Sequence, residues 1–364
     1  MANELTVALD AMGGDAGPEM VLKGVALASK RHSDARFVLF GNTEILAPLL
    51  AGHAELAARC ELRHAPDIVD PDAKLSQIVR RGQQTSMWQT IGLVKSGEAD
   101  LAISAGNTGV LMAMSVLQLR TQEGIDRPAI ASTWPGLERE SVLLDLGANL
   151  ECDEDNLVQF AIMGAAFARI VMGVHCPRVA LLNVGEEEQK GHEYVRLAAQ
   201  RLRETPQEEM SFTGFVEGSD LGFNAADVIV TDGFSGNVAL KTGEGSAKLI
   251  FQTLADAFGG SWRGKLAYLI ARNVFGFLKE KFDPRAHNGG IFLGLNGLVI
   301  KSHGGTDEVG FAHAIDVGLE MARQKIIDRI DADLTQYAQA RVGAVEIPRQ
   351  DGTDKQENAK VGVS

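Results

Sequence analysis

The chain has 364 residues, 45% of them hydrophobic and 23% charged, a globular composition that excludes wholesale disorder. Its 35 basic and 48 acidic residues leave a net charge of −13, which excludes nucleic-acid binding across the whole surface. Cys60, Cys152 and Cys176 are odd in number and widely spaced, so they form neither a zinc pattern nor a disulfide framework, and free thiols in a reducing cytoplasm are expected.

The elements follow in order along the chain. Met1-Ala2-Asn3-Glu4 lacks the basic start and long apolar run of a secretory signal. Leu5–Leu9 is a short apolar run, expected as a buried strand. A glycine-rich turn follows. Pro18 then opens a helix to about Arg31, because the first helical turn needs no amide hydrogen. Phe37–Phe40 is the next strand, and helices are predicted over 44–58 and 84–95. Leu101–Leu119 runs 19 residues without a charge, long enough to suggest a membrane span. Ser104, Gly106, Asn107, Thr108 and Gly109 interrupt it, so the prediction is a strand over 101–104, a polar turn, and a helix over 108–120. Strands are predicted over 129–133 and 141–145, a helix over 156–172, a strand over 179–183 and a helix over 192–203. A strand over 228–230, a long helix over 237–258, a mostly strand segment over 291–300 and a helix over 307–331 complete the series. Residues 1–345 are expected to form one catalytic domain, and 346–364 a polar, solvated tail.

This alternation predicts a mostly parallel sheet covered on both faces. In such sheets ligands sit at the carboxyl ends of the strands. Five turns there are rich in glycine and small polar residues: Met12–Asp15, Ser104–Gly109, Asp145–Asn149, Asn183–Gly191 and Asp232–Asn237. Turns of this kind let backbone N–H groups gather around an anion. Taken singly, each is more often a plain turn. Their number on one predicted sheet edge argues for a shared anion site. Neither Gly-x-Gly-x-x-Gly after the first strand nor Gly-x-x-x-x-Gly-Lys-Ser/Thr occurs, so a nucleotide site is disfavoured.

Three side chains in or near these turns carry an alternative each. Lys190 either pairs with Glu186 or Glu187 in solvent or faces an anionic ligand. Asn237 either caps a helix or donates its amide to a developing oxyanion. His303 is the best candidate among the histidines, and the favoured alternative is a turn residue bonded to backbone. No nucleophile elbow or metal motif is present.

Trp262–Arg285 reverses the charge of the chain, carrying six basic and two acidic residues. Trp262, Leu266, Leu269, Ile270, Phe277 and Leu278 share one side of a helical projection, and Lys265, Arg272 and Lys279 another. Gly259, Gly260, Gly264 and Gly276 favour a bent or paired helix. Residues 259–285 are expected to protrude. Trp262, Arg263, Lys265, Leu266, Leu269, Arg272 and Lys279 are expected to touch anionic lipid or an acidic carrier protein.

Six stretches read in order resemble the bacterial phosphate acyltransferase family, the acyl–acyl-carrier-protein:phosphate acyltransferases of phospholipid synthesis. They are Leu9–Asp15, Ser104–Gly109, Leu144–Asn149, Leu182–Glu187 with Lys190-Gly191, Asp232–Asn237 with Ala239–Lys241, and Lys301–Gly304. The resemblance implies a three-layer α/β/α sandwich akin to phosphotransacetylases and isocitrate dehydrogenases. It implies a cytoplasmic homodimer at the inner face of the cell membrane, with acyl carrier protein and inorganic phosphate as substrates. A membrane glycerol-3-phosphate acyltransferase would take the product.

The implied reaction needs no strong general base, since much of the phosphate near neutrality is already a dianion. It needs no ATP or redox cofactor, because thioester and acyl phosphate are both activated acyl groups. The remaining tasks are to hold phosphate and steady the oxyanion. For these the expectations are phosphate at Gly13, Gly14, Asp15, Ser104, Asn107 and Thr108, with Asn149 as a further substrate contact. Lys190 neutralises charge, Asn237 donates to the thioester carbonyl, Asp232 orients its loop and His303 assists. Two rivals remain: a decarboxylating dehydrogenase on the same fold, with a metal and a nucleotide, and a membrane-surface scaffold without activity.

Overall fold

A computed structural model describes residues 4–69, 82–205, 207–283, 285 and 288–345. Its strands in chain order are β1 (Leu5–Asp10), β2 (Ala35–Gly41), β3 (Cys60–His64), β4 (Leu101–Ser104), β5 (Ala129–Trp134), β6 (Ser141–Leu144), β7 (Arg178–Leu182), β8 (Ser211–Val216), β9 (Val228–Val230), β10 (Gly290–Leu293) and β11 (Leu298–Lys301). They lie in one sheet in the order β3-β2-β1-β4-β11-β10-β5-β6-β9-β7-β8. The helices are α1 (Gly17–Arg31), α2 (Thr43–Ala51), α3 (Ala54–Ala57), α4 (Ser86–Lys95), α5 (Thr108–Leu119), α6 (Glu154–Val171), α7 (Glu193–Glu204), α8 (Gly233–Gly259), α9 (Trp262–Lys281), α10 (Glu308–Arg323) and α11 (Ile326–Val345).

Period-two alternation makes this a three-layer sandwich. Val7, Leu9, Leu101, Ile103, Val142, Leu144, Val179 and Leu181 point to one face, where they meet buried residues of α1, α6, α7, α10 and α11. Their neighbours Ala102, Leu143, Ala180, Ile229, Phe292 and Val299 point to the other face, against α4 and α5. Ala239 and Leu240 of α8 pack on that second face. Both faces are apolar, which is why the strands read as continuous hydrophobic runs.

Most elements lie where the sequence placed them. The membrane-length run Leu101–Leu119 is strand β4, a turn and helix α5, and no described helix is long and apolar enough to cross a membrane. Four differences have physical reasons. β3 and β8 are the two edge strands; half-exposed segments such as Cys-Glu-Leu-Arg-His carry little apolar signal. Segment 291–300 is not one strand but the antiparallel pair β10–β11, turned at Gly294 with φ 88°. Segment 307–331 splits into α10 and α11 because Lys325, at φ 53°, cannot continue a right-handed helix. The long helix begins at Gly233, with Asp232 as its cap, and not at Asn237. The expected tail over 346–364 lies outside the described residues.

The sequence pattern predicts the turns on one sheet edge, but the strand directions divide them between two. β1, β2, β3, β4 and β11 are parallel to one another. β10, β5 and β6 then each reverse, so β6, β9, β7 and β8 run opposite to β1. The two halves are staggered. One ladder row crosses Ile103, Ile300, Ile291, Ala131, Leu144, Val230 and Leu181. Ser104 and Lys301 lie one residue beyond this row on one side, Asp145 and Thr231 one residue beyond it on the other. The two sets of strand ends are therefore offset by only about 7 Å along the strands.

Phe311 of α10 is fully buried among the sheet and α1. Replacing it with alanine should cost about 3–5 kcal/mol, read as a fall in the urea unfolding midpoint with unchanged slope.

Candidate active site

The first group of turns is organised by Asp10, buried at the end of β1. One carboxylate oxygen accepts from Ser86 Oγ at 2.6 Å and Met12 N at 3.2 Å, and the other from Ser104 Oγ at 2.7 Å. Ser104 Oγ in turn accepts from Gly106 N at 3.0 Å. Burial raises the Asp10 pKa, and the Ser104 and Ser86 hydroxyls oppose that rise. Gly13 sits so close that a Cβ would meet Asp10 Oδ2 at 2.6 Å and Gly106 N at 2.9 Å. Asp15 N donates to Gly304 O at 2.9 Å, and Ser302 N donates to Ser104 O at 3.0 Å. The turns after β1, β4 and β11 thus touch one another.

The second group is organised by Asp145, fully buried after β6. Its carboxylate accepts from the N–H groups of Ile130, Gly147, Ala148 and Asn149 at 2.7–3.2 Å and from Asn149 Nδ2 at 2.9 Å. Burial pushes its pKa up against these donors. Asn149 O accepts from Gly233 N at 2.7 Å. Asp232 caps α8 through Ser235 N at 2.8 Å and also accepts from Ser235 Oγ and Tyr194 Oη. A Cβ on Gly236 would lie 1.9 Å from Asp145 O, so only glycine lets the helix start against this turn.

Helix α8 joins the two groups. Asn237 lies against Gly147, whose Cβ position is 3.4 Å from Asn237 Cγ. Lys241, one turn on, acts electrostatically on both Lys301 and His303. Positions i and i+4 share a helix face about 5–6 Å apart. Asn237 and Lys241 therefore face the second and first groups from one stripe of α8. This arrangement can hold a tetrahedral anion on one side and polarise a carbonyl on the other.

Residues 5–329 match the family described as "Fatty acid synthesis protein". The chain is 51% identical over 335 residues to a phosphate acyltransferase of Azorhizobium caulinodans, covering 92% of this chain and 94% of that one. It is 51% identical over 334 residues to a phosphate acyltransferase of Rhodospirillum rubrum, covering 92% and 95%. The chain belongs to the phosphate acyltransferase family. The fold matches a phosphotransacetylase from Streptococcus pyogenes with a TM-score of 0.60 at 18% identity, over 88% of this chain and 94% of that one. EutD phosphotransacetylase from Staphylococcus aureus matches with a TM-score of 0.55 at 17% identity, over 88% and 94%. At such identities these two bear on the fold alone.

On this family's scaffold, Gly13, Gly14, Asp15 and Ser104 come together in the first group. Gly14 packs on Ala105 and Gly304. Asn107 caps α5 through Val110 N at 3.1 Å, and Thr108 begins that helix. Asn149 and Asp232 belong to the second group. Asn237 is not a helix cap, so its amide is not engaged in that role. Lys190 is exposed and paired with Glu187 at 2.8 Å, which raises its pKa. Asn183 holds its loop by donating to Gly185 O and Lys190 O, each at 3.1 Å. His303 Nδ1 accepts from Gly305 N at 3.2 Å, which puts the neutral ring's proton on Nε2. Burial and then Lys241 lower its pKa, so near neutrality it is a neutral donor. Sequence reading left out Asp10, Ser86 and Lys301 as site residues. Asp10 and Lys301 sat inside quoted motifs, but burial and contact distances were needed to single them out.

The basic segment is helix α9, paired with the outer part of α8. Phe258 of α8 closes the pair through ring contacts to Phe275 at 4.8 Å and Tyr268 at 6.2 Å of α9. Trp262, Leu266, Leu269, Ile270, Val274 and Phe277 stay more than half exposed. Arg263 lies over the Trp262 ring at 5.4 Å. Lys265 and Arg272 are exposed as well, while the side chain of Lys279 is outside the described part.

Asp145→Ala would strand several buried N–H donors. It should lower unfolding free energy by about 1–3 kcal/mol for each donor left unsatisfied, with Asp145→Asn losing less; parallel urea titrations of the two variants check this.

Proposed function

We propose that this enzyme transfers a fatty acyl group from an acyl carrier protein thioester to inorganic phosphate, giving acyl phosphate for phospholipid synthesis. The observation that carries the reading is the stripe of α8 that sets Asn237 beside the second turn group and Lys241 beside the first, in a chain half identical to named phosphate acyltransferases. Phosphate sits at Gly13, Gly14, Asp15, Ser104, Asn107 and Thr108, and the neutral His303 Nε2–H donates to it. The thioester carbonyl lies over the Asn237 amide, with Asp232 and Asn149 fixing the turn beneath. Lys190 leaves Glu187 to support charge on the same oxygen.

The electron flow needs little proton management. A phosphate oxygen attacks the carbonyl carbon, and a tetrahedral oxyanion forms. It collapses by breaking the carbon–sulfur bond, and the carrier leaves as a thiolate. Preorganised donors at the oxyanion supply the rate gain.

The α8–α9 pair serves recognition. Its exposed aromatic and aliphatic side chains, with Arg263, Lys265 and Arg272 among them, suit the headgroup region of an anionic membrane. The same charges attract an acidic carrier protein. Docking at the membrane as a homodimer would hand the product to a membrane glycerol-3-phosphate acyltransferase.

Mixing acyl carrier protein thioester, phosphate and enzyme should yield hydroxylamine-trappable acyl phosphate; thiol release that is independent of phosphate would refute the reading. Asn237→Ala and Lys190→Ala should each lower kcat by about 100-fold or more, and near-normal turnover would remove that residue from the mechanism. Lys265→Glu with Arg272→Glu should weaken sedimentation with anionic liposomes or raise the carrier KM by about tenfold. No change in either would end the docking role of α9.

A further inference from the structure

Lys301 ends β11 and pairs in register with Ser104 at the end of β4. Its ammonium therefore emerges where the turns of the first group meet. The hydrogen bonds described for it go to backbone carbonyls, Ala105 O at 3.4 Å and Ser302 O. The charged groups facing it are Asp10 from β1, Asp15 from the first turn and Lys241 from α8. His303 beside it faces the same Lys241, together with Glu244 of α8. Asp10 is already occupied by two serine hydroxyls, and Lys241 is paired with Glu244 at 3.1 Å. Asp15 is exposed at the turn and holds Gly304 through its own N–H. Lys301 is thus a half-buried cation among glycine turns, its own hydrogen bonds spent on carbonyls. Burial is the main cause that lowers its pKa to about 8. A cation so placed gains most from an incoming anion that can meet it directly.

We propose that Lys301 is the residue that binds the phosphate dianion, from the floor of the cradle formed by the turns at Gly13–Asp15, Ser104–Thr108 and His303–Gly305. The proposal rests on the acyl-transfer reading above and adds the charge partner of the nucleophile. Lys190 and Asn237 then serve the acyl side, and Lys301 serves the phosphate side. Bound phosphate favours the charged lysine. Above about pH 8 the free enzyme must regain a proton before phosphate binds, whereas phosphate itself is already the dianion there. Affinity for phosphate should consequently fall as pH rises through this range.

The test is calorimetric titration of the full chain with inorganic phosphate, from about pH 7 to about pH 9.5, on wild type, Lys301→Met and Lys301→Arg. Wild-type affinity should fall about tenfold per pH unit above about pH 8. Lys301→Met should bind about 10- to 100-fold more weakly at neutral pH and lose that pH dependence. Lys301→Arg should keep much of the neutral-pH affinity without the fall, because guanidinium stays charged. In turnover assays the Lys301→Met change should appear in the KM for phosphate and not in the KM for the acyl donor. The proposal is overturned by Lys301→Met binding phosphate like wild type, by a flat wild-type profile, or by wild type that binds no phosphate. The wild-type profile decides alone if a variant does not fold. Trapped acyl phosphate with phosphate binding indifferent to Lys301 sinks this assignment only. Lys301-dependent binding without acyl phosphate sinks the reaction and leaves the anion site standing.

Discussion

Two buried carboxylates hold the site together. Asp10 and Asp145 sit at the carboxyl ends of β1 and β6, and neither has an ion-pair partner among the described residues. Each is satisfied by N–H and O–H donors from its own and neighbouring turns. A hydrogen bond to a charged group contributes about 1.5–3 kcal/mol, and an unmatched buried carboxylate costs several kcal/mol more. The turns therefore have little freedom to open: releasing one strands a charge in apolar surroundings. This constraint turns flexible glycine-rich segments into rigid walls, which is what a preorganised anion site requires.

The reversal of the sheet between β11 and β6 decides how those walls meet. In a fully parallel sheet all the strand ends would lie along one rim, spread over many strand spacings of about 4.8 Å. Here the two halves run oppositely and are staggered to end near one ladder row. That leaves a lateral gap of about 14 Å between β11 and β6. α8 spans it. It starts pressed onto the Asp145 turn at Gly236 and passes Trp134 at Gly243, presenting Asn237 and Lys241 along the way. The same helix continues outward to pair with α9. One element thus links Asn237 and Lys241 to the exposed apolar surface of α9.

Much of this was legible in the residues. Hydrophobic runs flanked by glycine turns located most strands and helices, because a sheet buried on both faces leaves an unbroken apolar signature. The glycines at 13, 14, 106, 147, 233 and 236 marked the turns, because close backbone approach excludes a Cβ at several of them. The order of the motifs resembled the phosphate acyltransferase family, and charge reversal in Trp262–Arg285 marked the basic helix α9.

Tertiary structure decided what local pattern cannot encode. Strand direction depends on crossover paths between distant segments, so the split of the turns into two groups was invisible along the chain. The edge strands β3 and β8 lacked an apolar pattern because half of each faces solvent. Lys190, in a glycine-bounded turn, and Lys301, at the end of β11, are the same residue type beside loops of similar composition. Only the fold sets one in solvent beside Glu187 and sinks the other among backbone carbonyls, because desolvation is a property of everything packed around a group and not of the residues beside it in sequence.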